Sequence, residues 1–188
     1  NQLTAVEVLN RIEGDDKVEI DRKRLLGNLK NSASYSLELL ENLLHWSRLE
    51  EGASNYQPEY VKLNTLISNC LSLYNENAKR KELTFVKEID VTISCSADKI
   101  MMETIYRNLI SNAIKFSNTG GTITIGLRTV DEMTHFWVTD QGIGMTKEEA
   151  QKILHNGGTT RRGTANEKGA GMGLTLVREF TNLHNGKV

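Results

Sequence analysis

The chain has 188 residues, enough for one good hydrophobic core and a small second unit. Its 23 basic and 24 acidic side chains leave a net charge of −1, so no electrostatic footprint marks it as a partner of nucleic acid or of an anionic membrane surface. No apolar run reaches membrane-spanning length, no signal peptide stands out, and Cys70 and Cys95 share no metal or redox spacing; they read as free thiols in a reducing compartment.

In chain order, residues 1 to 12 carry apolar side chains at 3, 6, 9 and 12 and predict a short amphipathic helix. Gly14-Asp15-Asp16 breaks it. A second helix is predicted from about Asp21 to about Glu50, with an apolar stripe at 26, 29, 33, 37, 40 and 44 that Leu25, Leu39, Leu43 and Trp46 widen. That is more apolar surface than one antiparallel neighbour covers, so the hairpin is expected to pair with a copy of itself in a four-helix bundle. Glu50-Glu51-Gly52-Ala53-Ser54-Asn55, just before the lone proline Pro58, marks a boundary between a unit at 1–53 and a second at 54–188.

In the second unit, Tyr60 to Leu63 reads as a short strand. A helix is predicted over 64 to 81, closing on Lys79-Arg80-Lys81, cations suited to a helix C-terminus. Thr84 to Glu88 and Val91 to Ser94 read as strands, Ala97 to Phe116 as a helix, and Asn118 to Gly121 as a turn. Strands are predicted at Thr122 to Arg128 and Thr134 to Thr139, joined by a hairpin turn near Asp131-Glu132. Thr146 to Leu154 reads as a short helix, 155 to 168 as a glycine-rich and basic segment suited to a mobile lid over phosphate, and Gly173 to Asn185 as the last helix. Lys187-Val188 is expected to enter a strand.

Three polar or glycine-rich blocks organise this second unit. In the first, Arg107 to Phe116, residues Asn108, Asn112 and Lys115 fall at i, i+4 and i+7 on one helix face, two amides and an ammonium suited to a metal-bound polyphosphate. In the second, Asp140-Gln141-Gly142-Ile143-Gly144-Met145, a carboxylate and two glycines end an apolar run and leave backbone free to approach a flat ligand. In the third, Lys168-Gly169-Ala170-Gly171-Met172-Gly173-Leu174, glycines lead into a helix whose N-terminal N–H groups suit phosphate oxygens. Taken singly, each block has an ordinary structural explanation. A dinucleotide fingerprint is excluded, because the spacing here is Gly-x-Gly-x-Gly after a polar loop. A phosphate loop is excluded too, because Gly158 to Gly163 leads into Thr164 with no lysine.

Together and in this order, the blocks resemble the N, G1 and G2 boxes of the histidine-kinase branch of the ATPases that include gyrase, mismatch-repair proteins and heat-shock chaperones. The hairpin, with Leu43-Leu44-His45-Trp46-Ser47-Arg48-Leu49-Glu50, resembles the second helix of that family's dimerisation and phosphotransfer domain. Asn1-Gln2-Leu3-Thr4-Ala5 resembles the residues just after the phospho-accepting histidine in His-Glu-x-x-Asn-Pro-Leu, with Gln2 where proline is usual, which would put the acceptor about four residues before Asn1. The resemblance implies an α+β fold: a two-layer α/β sandwich, a mixed sheet with helices on one face, lacking its closing strands and preceded by the helical hairpin of a dimeric four-helix bundle.

It also implies roles. Asn112 would be the Mg²⁺ ligand with Asn108 beside it, and Lys115 would meet phosphate. Asp140 would accept from the adenine amino group as a buried carboxylate. Phe116 and Met145 would flank the base near Gly142 and Gly144, and residues 169 to 174 would lie along the triphosphate after Lys168. Between Ile153 and Gly163 the chain departs from the family's phenylalanine-rich F box, with Leu154 and His155 there.

The implied function is the cytoplasmic catalytic core of a sensor histidine kinase, a role compatible with a full-length parent anchored in the inner membrane. It would form a homodimer through the hairpin, pass the γ-phosphoryl of ATP to a histidine, and then to the receiver aspartate of a response regulator. It would have no catalytic histidine of its own. The alternatives are a non-catalytic nucleotide-binding dimerisation module and an anti-sigma-factor-type serine kinase, against which the long hairpin argues.

Overall fold

The computed structural model describes residues 56–89, 92–156, 162–165, 167 and 171–188, with single positions between 22 and 47. The predicted helix over 1–12, the boundary residues 50–55, and Lys168, Gly169 and Ala170 lie outside the described residues. The chain divides into units Asn1–Glu38 and Leu39–Val188. In the first, every described position is helical and exposed. The helical state continues at the described positions from 39 to 47.

The rest of the second unit runs β1 (Pro58–Lys62), α1 (Leu63–Arg80), β2 (Thr84–Ile89), β3 (Ser94–Asp98), α2 (Lys99–Phe116), β4 (Thr122–Val130), β5 (Met133–Thr139), α3 (Lys147–Asn156) and α4 (Gly173–Leu183). β2 pairs parallel to β4, and β4 pairs antiparallel to β5, making a mixed three-stranded sheet in the order β2-β4-β5. β1 and β3 form a separate antiparallel pair.

Period-two alternation puts Ile123, Ile125 and Leu127 of β4 at 0–1 % exposure, facing the helices. They join Leu63, Leu66, Ile67 and Leu71 of α1, Met101, Ile105, Tyr106, Ile110 and Ile114 of α2, and Leu176, Val177 and Phe180 of α4 in one core. Burying each such large side chain contributes about 1.5–3 kcal/mol. α2 packs against both α1 and α4, so the helix carrying the first polar block sits in the middle of the helical layer. On the opposite face of β4, Gly126 leaves room for the Trp137 ring, which a Cβ would approach at 1.9 Å; the Arg128 guanidinium lies 5.2 Å above that ring. Layers and mixed sheet are those the resemblance implied.

Local chemistry explains the boundaries. Asp98 caps α2, its Oδ1 accepting from Met101 N at 3.0 Å while Oδ2 accepts from Gln57 N at 3.0 Å. The hairpin turn is where it was expected: Asp131 and Glu132 both take positive φ, 49° and 64°, the signature of a two-residue type I′ turn. α4 ends in a Schellman turn, with Asn185 at φ 57°, Asn185 N bonded to Asn182 O and Gly186 N to Thr181 O.

Two strand expectations need correction. β3 lies at Ser94–Asp98, where Val91 to Ser94 was expected; Val91 is outside the described residues, and Ile93 N is taken by the Asn64 side chain and Ile93 O by Leu63 N, so the ladder with β1 runs from Ser94. Lys187-Val188 forms no strand among the described residues; the Schellman turn uses the backbone up to Gly186 and no ladder comes after it. Cys70 is buried and Cys95 half-buried, both unpaired thiols, and burial, with the nearby Glu103 adding to it, pushes the Cys70 thiol up to about 11. Among the described residues no helix is long and apolar enough to cross a membrane.

Candidate functional site

The first two blocks are stitched together at the C-terminal end of α2. Ser117 bridges to Gly142, Ile143 N donates to Phe116 O at 3.2 Å, and the Asn118 amide nitrogen donates to Gln141 O at 3.2 Å. Gln141 Oε1 accepts from Thr122 N at 3.0 Å, tying the loop to the start of β4 as well. Gly142 has to be glycine, since a Cβ there would lie 2.2 Å from Phe116 O and 2.5 Å from Asp140 Oδ1. Gly144 takes φ 61°, and a Cβ on it would meet nothing within 4 Å, so open space lies beside the loop.

Asp140 ends β5's approach to this loop, and its Oδ1 accepts from Gly142 N at 2.9 Å. That bond fixes the carboxylate in place and leaves Oδ2 without a partner among the described residues. The expectation of a buried carboxylate is corrected: Asp140 is exposed, in a loop whose Ile143 and Met145 are themselves 49 % and 57 % exposed, because no apolar cover among the described residues closes over this strand end. Phe116 is half-buried, and the Lys115 ammonium lies 5.0 Å from its ring centroid.

The third block meets the first through glycine. A Cβ at Gly173 would sit 2.1 Å from Asn108 Oδ1, so glycine lets the start of α4 close on α2 without displacing that amide. Asn108 is held by its own helix, its Nδ2 donating to Thr104 O at 2.9 Å. Gly171 takes φ 76° just before the helix. Met172 stands at the N-cap with no side-chain cap and no acidic residue in the first turn, which leaves the positive end of α4 available to an anion. Leu174 packs on the core. Asn112 is half-buried on α2, one turn from Asn108 and from Lys115. The structure thus brings Phe116 and Ser117 at the end of α2 to Gly142 and Ile143, and Asn108 in the middle of α2 to Gly173 at the start of α4, with Asn112 and Lys115 on the same helix.

Among the described residues no three His, Cys, Asp or Glu side chains come together to hold a metal. The amide oxygen of Asn112 on α2 is a donor of the kind a hard ion such as Mg²⁺ takes beside phosphate oxygens and water.

Sequence alone hides Lys81. In the run Lys79-Arg80-Lys81 it reads as one more cation at the end of α1, but it is 8 % exposed and serves a different helix, donating to Ile114 O and Lys115 O of α2 at 2.9 Å each. Lys79 instead pairs with Glu76, and Arg80 donates to the Asn77 amide oxygen. Three consecutive cations look alike locally; tertiary burial alone separates them. The described part of the 155–168 segment is likewise tied down, with Thr164 N donating to Lys115 O at 3.0 Å.

Residues 97–188 match the model of the histidine kinase-, DNA gyrase B- and HSP90-like ATPase family. Histidine kinase P4 of Formosa agariphila is 29 % identical over 97 % of this chain and 13 % of its own length. The histidine kinase AdeS of Acinetobacter baumannii superposes with a TM-score of 0.66 at 19 % identity over 97 % of this chain and 81 % of that one, which shows the shared fold. The catalytic domain of the histidine kinase ThkA superposes with a TM-score of 0.60 at 25 % identity, covering 67 % of this chain and 80 % of that one. The chain spans only 13–36 % of the length of the first curated relatives it matches. Residues 97–188 thus carry an ATPase domain of the histidine kinase-, DNA gyrase B- and HSP90-like family, and the chain's curated relatives and structural neighbours are histidine kinases.

Proposed function

We propose that this chain is the catalytic core of a sensor histidine kinase, with a dimerisation and phosphotransfer hairpin at 1–53 and an ATP-binding domain at 54–188. It binds Mg-ATP at the end of α2 and passes the γ-phosphoryl to a histidine upstream of Asn1, and from there to the aspartate of a response-regulator receiver domain. The observation that carries this reading is that the three blocks meet: Gly142 sits against Phe116 O and Asp140 Oδ1, and Gly173 against Asn108 Oδ1.

In this reading Oδ2 of Asp140 accepts the adenine amino proton, and the base covers the exposed Ile143 and Met145 with Phe116 on its other side. Gly142 and Gly144 keep the loop backbone thin enough for that approach. Lys115 and the N-terminal turn of α4, with Lys168, Gly169, Ala170, Gly171, Met172, Gly173 and Leu174, hold the phosphates, and Asn112 ligates Mg²⁺ beside Asn108. When bound, Mg²⁺ neutralises charge shared by the β- and γ-phosphate oxygens. Transfer forms an N–P bond as the bond from the γ-phosphorus to its bridging oxygen breaks, and ADP leaves. Seven leucines between Leu25 and Leu44 are 56–67 % exposed in the single chain, which supports pairing of the hairpin with a second copy.

Among the described residues no histidine is placed to accept the phosphoryl group. His184 uses both ring nitrogens: Nε2 accepts from Asp98 N at 3.0 Å, so Nδ1 carries the proton and donates to Phe180 O at 2.7 Å. His135 lies exposed on β5. His45 and His155 have side chains outside the described residues; the first is far along the second helix, the second in the 155–168 segment. Incubating the chain with labelled ATP and Mg²⁺ is expected to give no acid-labile, base-stable phosphoprotein, whereas the same protein extended upstream of Asn1 through the acceptor is expected to give one. Label on the chain itself, lost in His45→Gln, overturns the placement of the acceptor. Acid-stable label on a serine would support the serine-kinase alternative.

A further inference from the structure

The Lys81 ammonium lies within hydrogen-bonding distance of four oxygens from two separate parts of the chain. Two are main-chain carbonyls at the C-terminal end of α2, Ile114 O and Lys115 O, both at 2.9 Å. The others are Thr164 Oγ1 at 2.8 Å and Glu167 Oε1 at 2.7 Å. An ammonium has three protons, so these four acceptors saturate it, and the carbonyls stand at the negative end of the α2 dipole. α1 ends so as to deliver this residue: Lys81 is its C-cap, and Glu82 next to it takes φ 55° in a Schellman turn closed by Leu83 N to Ala78 O and Glu82 N to Lys79 O.

The segment it grips is cross-tied to the same point. Thr164 Oγ1 donates to Ser117 O at 2.6 Å, Gly163 N donates to Glu167 O at 2.9 Å, and Ala165 N donates to Glu167 Oε2 at 2.8 Å. Gly163 lies against Lys115 so closely that a Cβ would be 2.5 Å from Lys115 Cγ and 2.7 Å from Lys115 O. Burial pushes the Glu167 carboxyl up, but the hydrogen bond from Lys81 and the backbone N–H donors outweigh it and hold the group below its ordinary value. Glu167 therefore meets the lysine as a carboxylate.

We propose that Lys81 is a positioning residue of the nucleotide site, fixing the 162–167 segment against the main chain of Lys115, the side chain assigned to phosphate. The inference rests on the nucleotide reading above. It assigns the 162–167 segment to the phosphate end of the site, because its ties run to Lys81 and to the main chain of Lys115.

The test compares the unmodified chain with Lys81→Met and with Glu167→Gln, which keeps the lysine bonded to the helix end and so preserves the fold. Hydrogen exchange at the Gly163, Thr164 and Ala165 amides is read without nucleotide, and affinities for Mg-ATP and for adenosine are read by titration. Losing a charge-assisted bond is expected to raise exchange at these amides, and to weaken Mg-ATP, about tenfold or more in Lys81→Met and less in Glu167→Gln, with adenosine unchanged. Exchange unchanged in both variants overturns the anchor. Faster exchange with equal losses for Mg-ATP and adenosine, or with no loss for either, overturns the positioning role. An unmodified chain that binds neither ligand overturns the nucleotide reading itself, and is told apart because the exchange result stands without it.

Discussion

Asp140→Asn is expected to weaken ATP binding by about ten- to a hundredfold while leaving the thermal unfolding midpoint in place. The geometry gives the reason. Asp140 Oδ1 accepts from Gly142 N at 2.9 Å, and an asparagine oxygen keeps that bond, so the loop stays folded. The second oxygen becomes an NH₂ group, and a donor then faces the adenine amino donor. Asp140 is exposed, so in the free chain the substitution strands no buried charge. Calorimetry of both proteins with ATP checks this, and equal affinities would remove Asp140 from the adenine contact.

Asn112→Ala is the second large effect, and its signature is dependence on metal. A lone amide on α2 cannot hold Mg²⁺ alone, but it completes the shell of an ion already bound to phosphate oxygens and water. Removing one inner ligand is expected to weaken Mg-ATP about tenfold or more and nucleotide in excess chelator hardly at all. Equal losses with and without Mg²⁺ would make Asn112 a structural residue of α2.

Much of the fold and of the candidate site is legible in the sequence because periodicity and glycine carry direct physical information. The helix predicted over 64 to 81 is α1, one residue short of its start at Leu63, and Asp131-Glu132 marks the hairpin between β4 and β5 because a two-residue loop is the shortest that fits two such strands. Gly142 and Gly173 stand in blocks where backbone must come close to a neighbour, and each proves to have backbone or Asn108 where a Cβ would stand. The place of β3 is not legible, because Ser94-Cys95-Ser96-Ala97-Asp98 has little strand propensity and its pairing is decided by β1, distant in sequence. The resemblance implies a buried carboxylate at Asp140, whereas burial depends on what packs over the strand end. Lys81 is hidden for the same reason: its meaning depends on Ile114, Lys115, Thr164 and Glu167, which arrive from 33 to 86 residues further along the chain.

The central claim is that Asp140, the end of α2 and the start of α4 form one adenine-nucleotide site. Titrating the unmodified chain with Mg-ATP and Mg-GTP under the same conditions tests it most directly. Guanine carries a carbonyl where adenine carries the amino group, and an acceptor fixed by Gly142 faces that carbonyl with nothing to donate, a mismatch of about 1–3 kcal/mol. The account predicts saturable binding of Mg-ATP at one site per chain, with Mg-GTP about ten- to a hundredfold weaker. Equal affinities for the two nucleotides, or no binding of Mg-ATP, would contradict it.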